Sequence, residues 1–483
     1  MLKNHTFNSE KGAALIFALL GLTLLTLLGL AFSFHANIEY RISENYVTHQ
    51  EALAIADAGL NTAKATLQKN DFNTFLVTQS DVPAYVSSDQ PAGGSDAARN
   101  AISSRAARNV NFNAPPSPAK YYKVSGLLTP VTGQPYANGR YFVKVSNNSG
   151  GGNGVFGSDP DPNVDTDFRI LVRVTGIRQT LGAEKVGSAK TIPNSVAIVE
   201  AMMKRSTAFD LKSPLSLSGP STSATFNGVK FDVDGYNHNG MTRDQIVNAH
   251  SENAVGAGTG IATIYDSPAT GDGSPIATSL YDQLNLRQSG NVVGAPGINL
   301  DDTPSVGDIT NVLRTSSDPD TQKVLNNNFV GNFVNLVKPY ANNYYSTSQQ
   351  WSGGSAPDNL GTTDDPKITY INSDLKVTGN ASGAGILIVT GDLEVGGAFT
   401  WDGVILVVGG GSINFHGVNE SFIGGMFVEN LTKTGPNYVA GPTNMTLSGN
   451  TAFYYSSDMV RMGLRLLPLE MLEWREITPE ISK

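Results

Sequence analysis

From Gly12 to Phe34 the chain runs GAALIFALLGLTLLTLLGLAFSF, 23 residues without one charged side chain. About 20 apolar residues in a helix cross a bilayer core of about 30 Å, so this stretch is long enough to span a membrane. A secretory signal would have a shorter apolar region and a small-residue cleavage site behind it, and this stretch has neither. Lys3 and Lys11 precede the run and a large polar region follows it. That asymmetry places the bulk of the chain outside the cytoplasm.

The helical pattern continues past the span. Ile42, Tyr46, Leu53, Ala56, Leu60, Ala63 and Leu67 recur at spacings that put them on one face, while Arg41, Glu44, Gln50, Glu51 and Lys64 occupy the others. No proline interrupts Gly12 to Asn70. One continuous helix of about 87 Å is therefore expected at 1.5 Å per residue. Its first half is apolar all round and its second half is amphipathic, as suits a membrane anchor prolonged into a packing spine.

Three features together carry a family resemblance: Lys11-Gly12-Ala13-Ala14-Leu15, the apolar run behind it, and Ala56-Asp57-Ala58-Gly59-Leu60 about forty residues later. The segment resembles the N-terminal domain of PilX-like minor pilins of type IV pili, with Asp57 where that family's element has Glu. The likeness covers about the first seventy residues. It implies a prepilin leader over 1–12, cut by a prepilin peptidase after Gly12 to leave Ala13 as the new N-terminus, and a transmembrane and spine helix over 13–70. It also implies a place in the bacterial inner membrane before assembly and in an extracellular pilus afterwards, with other minor and major pilins as partners through this helix. Most pilins carry Glu at the fifth mature position, where it neutralises a neighbour's N-terminal amine; here that position is Phe17. The lack of Glu resembles the tip pseudopilin of type II secretion systems and points to a subunit at the filament tip.

Residues 71–118 include a Ser-, Ala-, Asn-, Gly- and Pro-rich stretch, expected as a loop or linker. Arg140–Ser146, Phe168–Gly176 and Ser195–Met203 alternate apolar and polar residues, which predicts three strands. A meander packed on the spine would make 119–206 the antiparallel β domain of a pilin. Between the first two strands, Asp159, Asp161, Asn163, Asp165 and Asp167 stand at alternate positions, an oxygen array like that of calcium loops. The EF-hand pattern fails, because the sixth loop position is not Gly and the twelfth is Ile170. Calcium is the one cofactor this array suggests, and none is required by the sequence; an acidic solvated loop is the plainer reading.

Residues 207–483 are expected as a second domain, with an irregular, partly helical insertion at about 235–365. Helical stretches are expected around Ser305–Leu313 and Gln322–Tyr340, the second with a stripe of Val324, Leu325, Phe329, Phe333 and Leu336. Similar units then begin at Gly385, at Gly403 eighteen residues later, and at Phe422 nineteen further on. Each joins an apolar strand, a glycine-rich turn and a shorter alternating strand. Repetition at a near-fixed interval indicates stacked units, so a β-helix-like domain is expected, and the fold class is α+β. The tail, with Tyr454-Tyr455-Ser456-Ser457 and Trp474-Arg475-Glu476, reads as a last strand and a terminal helix capping the stack.

Composition narrows the function classes. A net charge of −9 over 483 residues, with no Lys/Arg-rich run, argues against nucleic-acid binding. Without cysteine there is no disulfide, thiolate metal site or cysteine nucleophile. The six histidines lack metal spacing, His416 reads as a turn or surface residue, and no nucleophile elbow or phosphate loop occurs. Asp232, Asp234 and His238 are the one conceivable acid/base group. The expectation is therefore a non-enzymatic minor pilin that helps initiate assembly, caps the filament and displays its C-terminal domain for adhesion, with host or surface glycans as candidate ligands. The alternatives are a type II secretion pseudopilin and a membrane-tethered carbohydrate-active β-helix protein.

Overall fold

The computed structural model describes residues 9–68, 71–74, 108–109, 139–147, 164–178, 195–249, 258–265, 274–298, 303–316, 318–354 and 356–477. One helix, Ser9–Gln68, runs through 60 residues, about 90 Å at 1.5 Å per residue. It is long and apolar enough to cross a membrane, and the most apolar part has no residue buried within the molecule.

Burial on this helix begins late. Ala52, Ile55, Ala56, Leu60, Ala63 and Leu67 are buried, whereas Ile38, Tyr40, Ile42, Tyr46 and Val47 are exposed. The apolar stripe expected from Ile42 thus starts a few turns further on, because the sheet beneath extends only to about Ala52. Gly176 marks that limit: a Cβ there would strike the Ala52 carbonyl and the Ala56 backbone, so glycine lets helix and sheet approach closely.

That sheet has five strands, with Glu470–Ile477 on one edge beside Ser195–Lys204, then Arg169–Arg178, Gly139–Asn147 and Arg108–Asn109, all antiparallel. Three of these coincide with the strands expected from alternation. Trp474-Arg475-Glu476, expected in a terminal helix capping the repeat, instead lies in the edge strand opposite Glu200–Ala201. Residues 470–476 are exposed and pair on one side only, as an edge strand does. The second domain accordingly does not run to 483; it is inserted between two neighbouring strands of the antiparallel sheet.

The inserted region is built on two parallel sheets. The narrow one has six strands, in the order Gln349–Trp351, Leu375–Val377, Leu393–Val395, Ser412–Phe415, Thr443–Ser448 and Thr222–Asn227. The broad one has eleven, centred on Lys367–Ile371, Ala381–Val389, Phe399–Val408 and Glu420–Glu429. Along the chain, strands of the two sheets alternate, and each strand pairs with its counterpart in the next unit. Lys376 faces Glu394 eighteen residues on, as the repeat requires. The third unit differs from the expected register: Gly403 pairs with Gly424, because the turns between them hold three residues more than the eighteen-residue step and carry the match past Phe422.

The first strands of the region complete both sheets from the far side. Leu215–Ser218 pairs with Glu420–Glu429, and Thr222–Asn227 with Thr443–Ser448. One face of the broad sheet meets the narrow sheet through Leu387, Val389, Val395, Phe415 and Leu447. The other face, with Ile386, Ile388, Val404 and Leu406, shares a continuous core with Leu60 and Leu67 of the spine. Burial on both faces explains the unbroken apolar runs GILIV and GVILVV, whereas strands of the narrow sheet alternate.

The expected insertion is mixed as described. Ser305–Leu313 contains a strand, Val306–Asp308, before a short helix at Thr310–Arg314. Helix Asn327–Val337 buries Val330, Phe333, Val334 and Val337 and leaves Leu336 exposed. The stripe is rotated because the helix starts at Asn327, behind the cap supplied by Asn326.

Candidate functional site

The spine offers the clearest candidate surface. Gly12 and Ala13 lie in the first turns of the helix, and Phe17 is 74 % exposed. From Ala14 to Val47 the helix makes no apolar burial within the subunit. Exposed Leu, Ile and Phe side chains over such a length need lipid or other helices around them. No carboxylate accompanies Phe17 between Gly12 and Phe34.

Below this surface the helix is fastened by polar contacts that sequence reasoning missed. Arg205 is buried, donates to the Leu67 carbonyl and places its guanidinium 4.4 Å from the centre of the Phe72 ring. Desolvation lowers its pKa to about 10 despite nearby Asp71 and Asp165. The Gln68 amide donates to the Leu467 carbonyl at 2.9 Å and accepts from the Leu469 N–H at 2.6 Å. The end of the spine is thereby tied to the segment returning from the inserted region. The only signal in the sequence was the pair Lys204-Arg205 directly after a strand, which does not reveal its partners.

The acidic array is divided. Asp159, Asp161 and Asn163 lie outside the described residues. Asp165 is buried, accepts the Arg169 N–H at 3.1 Å and lies 3.6 Å from Arg461. Asp167 also accepts the Arg169 N–H, at 3.0 Å. Both carboxylates thus cap the start of strand Arg169–Arg178, and Arg461 occupies the place beside Asp165 that a cation would need. Among the described residues no group of three or more His, Asp or Glu could hold a metal ion.

Asp232, Asp234 and His238 do converge, but inside the fold. His238 is fully buried, with Nε2 3.5 Å from Asp234 and Nδ1 3.0 Å from the Tyr455 carbonyl. The Tyr454 hydroxyl bonds Asp232, and burial raises its pKa. These groups join strand ends to one another. His416 is surface-exposed, 3.8 Å from Glu394.

A cleft of about 530 Å³ separates the antiparallel sheet from the inserted region. Arg169 pairs with Asp318 across the junction at 2.8 Å, and within the inserted region the Tyr455 hydroxyl donates to Asp210 at 3.4 Å. Burial pushes the Asp210 carboxyl up. Nearby, Asp320 receives Lys204 at 2.6 Å and Lys323 at 2.7 Å. The cleft is therefore a seam held by ion pairs.

Residues 11–61 match the family described as PilX N-terminal, which covers the anchor and most of the spine. No curated protein matches the chain. Among solved structures, the crystal structure of the competence-associated pilin ComZ from Thermus thermophilus is matched at 11 % identity over 89 % of this chain and 97 % of that one. The TM-score is 0.18, too low to bear on the fold.

Proposed function

We propose that this type IV pilin-like chain, PilX-like over its N-terminal segment, is a minor pilin that helps initiate assembly, sits at the filament tip and displays its inserted region for adhesion. The observation that carries the reading is the helix from Ala14 to Phe34, apolar, exposed in the subunit and with Phe17 in place of an acid. Such a helix suits burial among the helices of other pilins once a prepilin peptidase has cut after Gly12. A neighbour's amine buried opposite Phe17 would be left without a counter-charge, which is costly in an apolar bundle. At the tip no earlier subunit supplies that amine.

In this reading the alternating parallel strands are coils of a β-helix, and the chain is not an enzyme: its function is display. Phe17 equally favours the tip pseudopilin of a type II secretion system, and that second reading is kept. A deletion strain separates them when scored for surface pili, twitching, attachment and secretion, with immunogold labelling of the wild type. Loss of attachment or of pili, with gold at filament ends, is expected. Secreted enzymes held in the periplasm would favour the pseudopilin, and gold spread evenly along the shaft would sink the tip assignment.

A further inference from the structure

The hairpin Leu431–Thr434 and Asn437–Ala440 is an excursion from the repeat, between Glu420–Glu429 and Thr443–Ser448. It leans on the start of helix Asn327–Val337. Asn328 accepts the Tyr438 N–H at 2.7 Å and donates to Asn437 Oδ1 at 3.3 Å, and Asn335 donates to the Tyr438 hydroxyl at 2.9 Å. The Tyr438 ring lies flat against Gly331, where a Cβ would meet it at 2.6 Å. The wall made in this way is fixed before any ligand arrives.

Hairpin, helix start and Tyr265 line an open cleft of about 730 Å³. Small-ligand sites are commonly about 300–1,000 Å³. The composition of this one is unusual for a chain of net charge −9. Its polar lining is Arg314, Gln322 and the run Asn326-Asn327-Asn328, with no carboxylate among the described lining residues. Asn326 is committed to the helix cap, accepting from the backbone N–H groups of Asn328 and Phe329. Asn327 is half-buried and has no side-chain partner among the described residues, so its amide keeps both donor and acceptor capacity. Leu325, Val439 and the tyrosine rings add apolar faces.

We propose that this cleft is a glycan-binding subsite, which takes a sugar unit with Asn327 at its hydroxyls. Adjacent sugar hydroxyls need donor and acceptor together, which one amide supplies. The C–H face of a sugar ring packs on aromatic and aliphatic carbon. A cation finds no carboxylate among the described lining residues, and an apolar peptide helix would bury the amides unsatisfied. The proposal rests on the adhesive reading above and gives it a ligand class.

The test uses the full chain in a detergent without a sugar headgroup, applied to an array of oligosaccharides ending in neutral hexoses, N-acetylhexosamines or sialic acids. The wild type is expected to bind a subset. The variant Asn327→Glu is expected to bind that subset at least tenfold more weakly with an unchanged melting temperature. Glu at the first helical position suits the helix dipole, so the variant should keep its fold. Val439→Glu, on the exposed hairpin rim, is a second variant expected to weaken binding. Binding that survives in both variants, or no binding by the wild type, overturns the subsite. In either case the adhesive reading stands if the deletion strain still loses attachment; normal attachment by that strain sinks the adhesive reading itself.

Discussion

In the antiparallel sheet the two faces differ. Val172, Val174, Val199 and Ala201 pack toward the spine, while Arg173, Glu200 and Arg475 stand in register across three strands on the opposite side. In the broad parallel sheet both faces are largely apolar, and two of its buried acids, Glu420 and Glu429, sit at the two ends of one strand. The first sheet is closed by a strand brought back from residue 470 onward, whose attachment is specified by charge. The second is closed by stacking like upon like, so its register depends on repeated shape. Specificity comes from paired charge in one region and from steric fit in the other.

The largest effect is expected where charge specifies the closure. Glu200 has 1 % side-chain exposure and bonds Arg173 at 3.1 Å and Arg475 at 3.0 Å. Glu200→Ala would leave a buried guanidinium with its counter-charge gone, at a cost of about 4 kcal/mol. Trp474 lies in the same edge strand, whereas Trp351 and Trp401 are buried in the parallel stack. In a urea titration, Trp474 fluorescence should therefore change well before the other two. A single coincident transition would show that the two regions unfold as one and would erase the distinction.

Glu429 is expected to give an effect of pH. It is buried, its Oε1 accepts from Ser218 at 2.9 Å, and its Oε2 has no partner among the described residues. Burial pushes its pKa up to about 8, only partly opposed by the Ser218 hydroxyl. The protonated form is favoured in the fold, so its full stability is present below the ordinary carboxylate range and falls as pH rises toward 8. Between pH 5 and pH 8 the loss should be on the order of 3 kcal/mol, and Glu429→Gln should remove much of it. Glu420, raised to about 7, adds to the same trend from the other end of the strand. A flat pH profile in the wild type would break this account of how the parallel sheet closes.

Much of this architecture was legible in the residues, for reasons that differ between regions. The anchor, the alternating strands and the eighteen-residue step are local patterns, each carried by a short window of side chains. The start of burial at Ala52 was not legible, because a helix's apolar stripe does not say how far its partner sheet extends. Nor was the return of Trp474 to the antiparallel sheet, since strand pairing across most of the chain leaves no local trace. The acidic array shows the same limit. Alternate spacing of Asp165 and Asp167 was visible, but Arg461, which engages Asp165, comes from a helix far along the chain. The amide cleft was hidden likewise: Asn326-Asn327-Asn328 lay inside a stretch expected as helical, and only the hairpin laid over it gives the run a wall.

The smallest effect tests shape in the parallel stack. Gly385, Gly403 and Gly424 stand in register and all have φ between 118° and 133°, where each strand bends. A Cβ on Gly403 would strike the Gly385 carbonyl, a backbone atom that cannot swing aside. The side chain is thus opposed twice, by its own backbone conformation and by the strand below, and Gly403→Ala should cost about 2 kcal/mol. Gly354 provides the control, because its φ is ordinary and nothing lies within 4 Å of an added Cβ. Gly354→Ala should be neutral or stabilise by about 0.5 kcal/mol through the unfolded chain. If both substitutions behaved alike in the urea titration, the glycine row would be incidental. If only Gly403→Ala shifted the Trp401 transition, and left that of Trp474 in place, register in the stack would be set by the bend itself and independently of the charged sheet beside it.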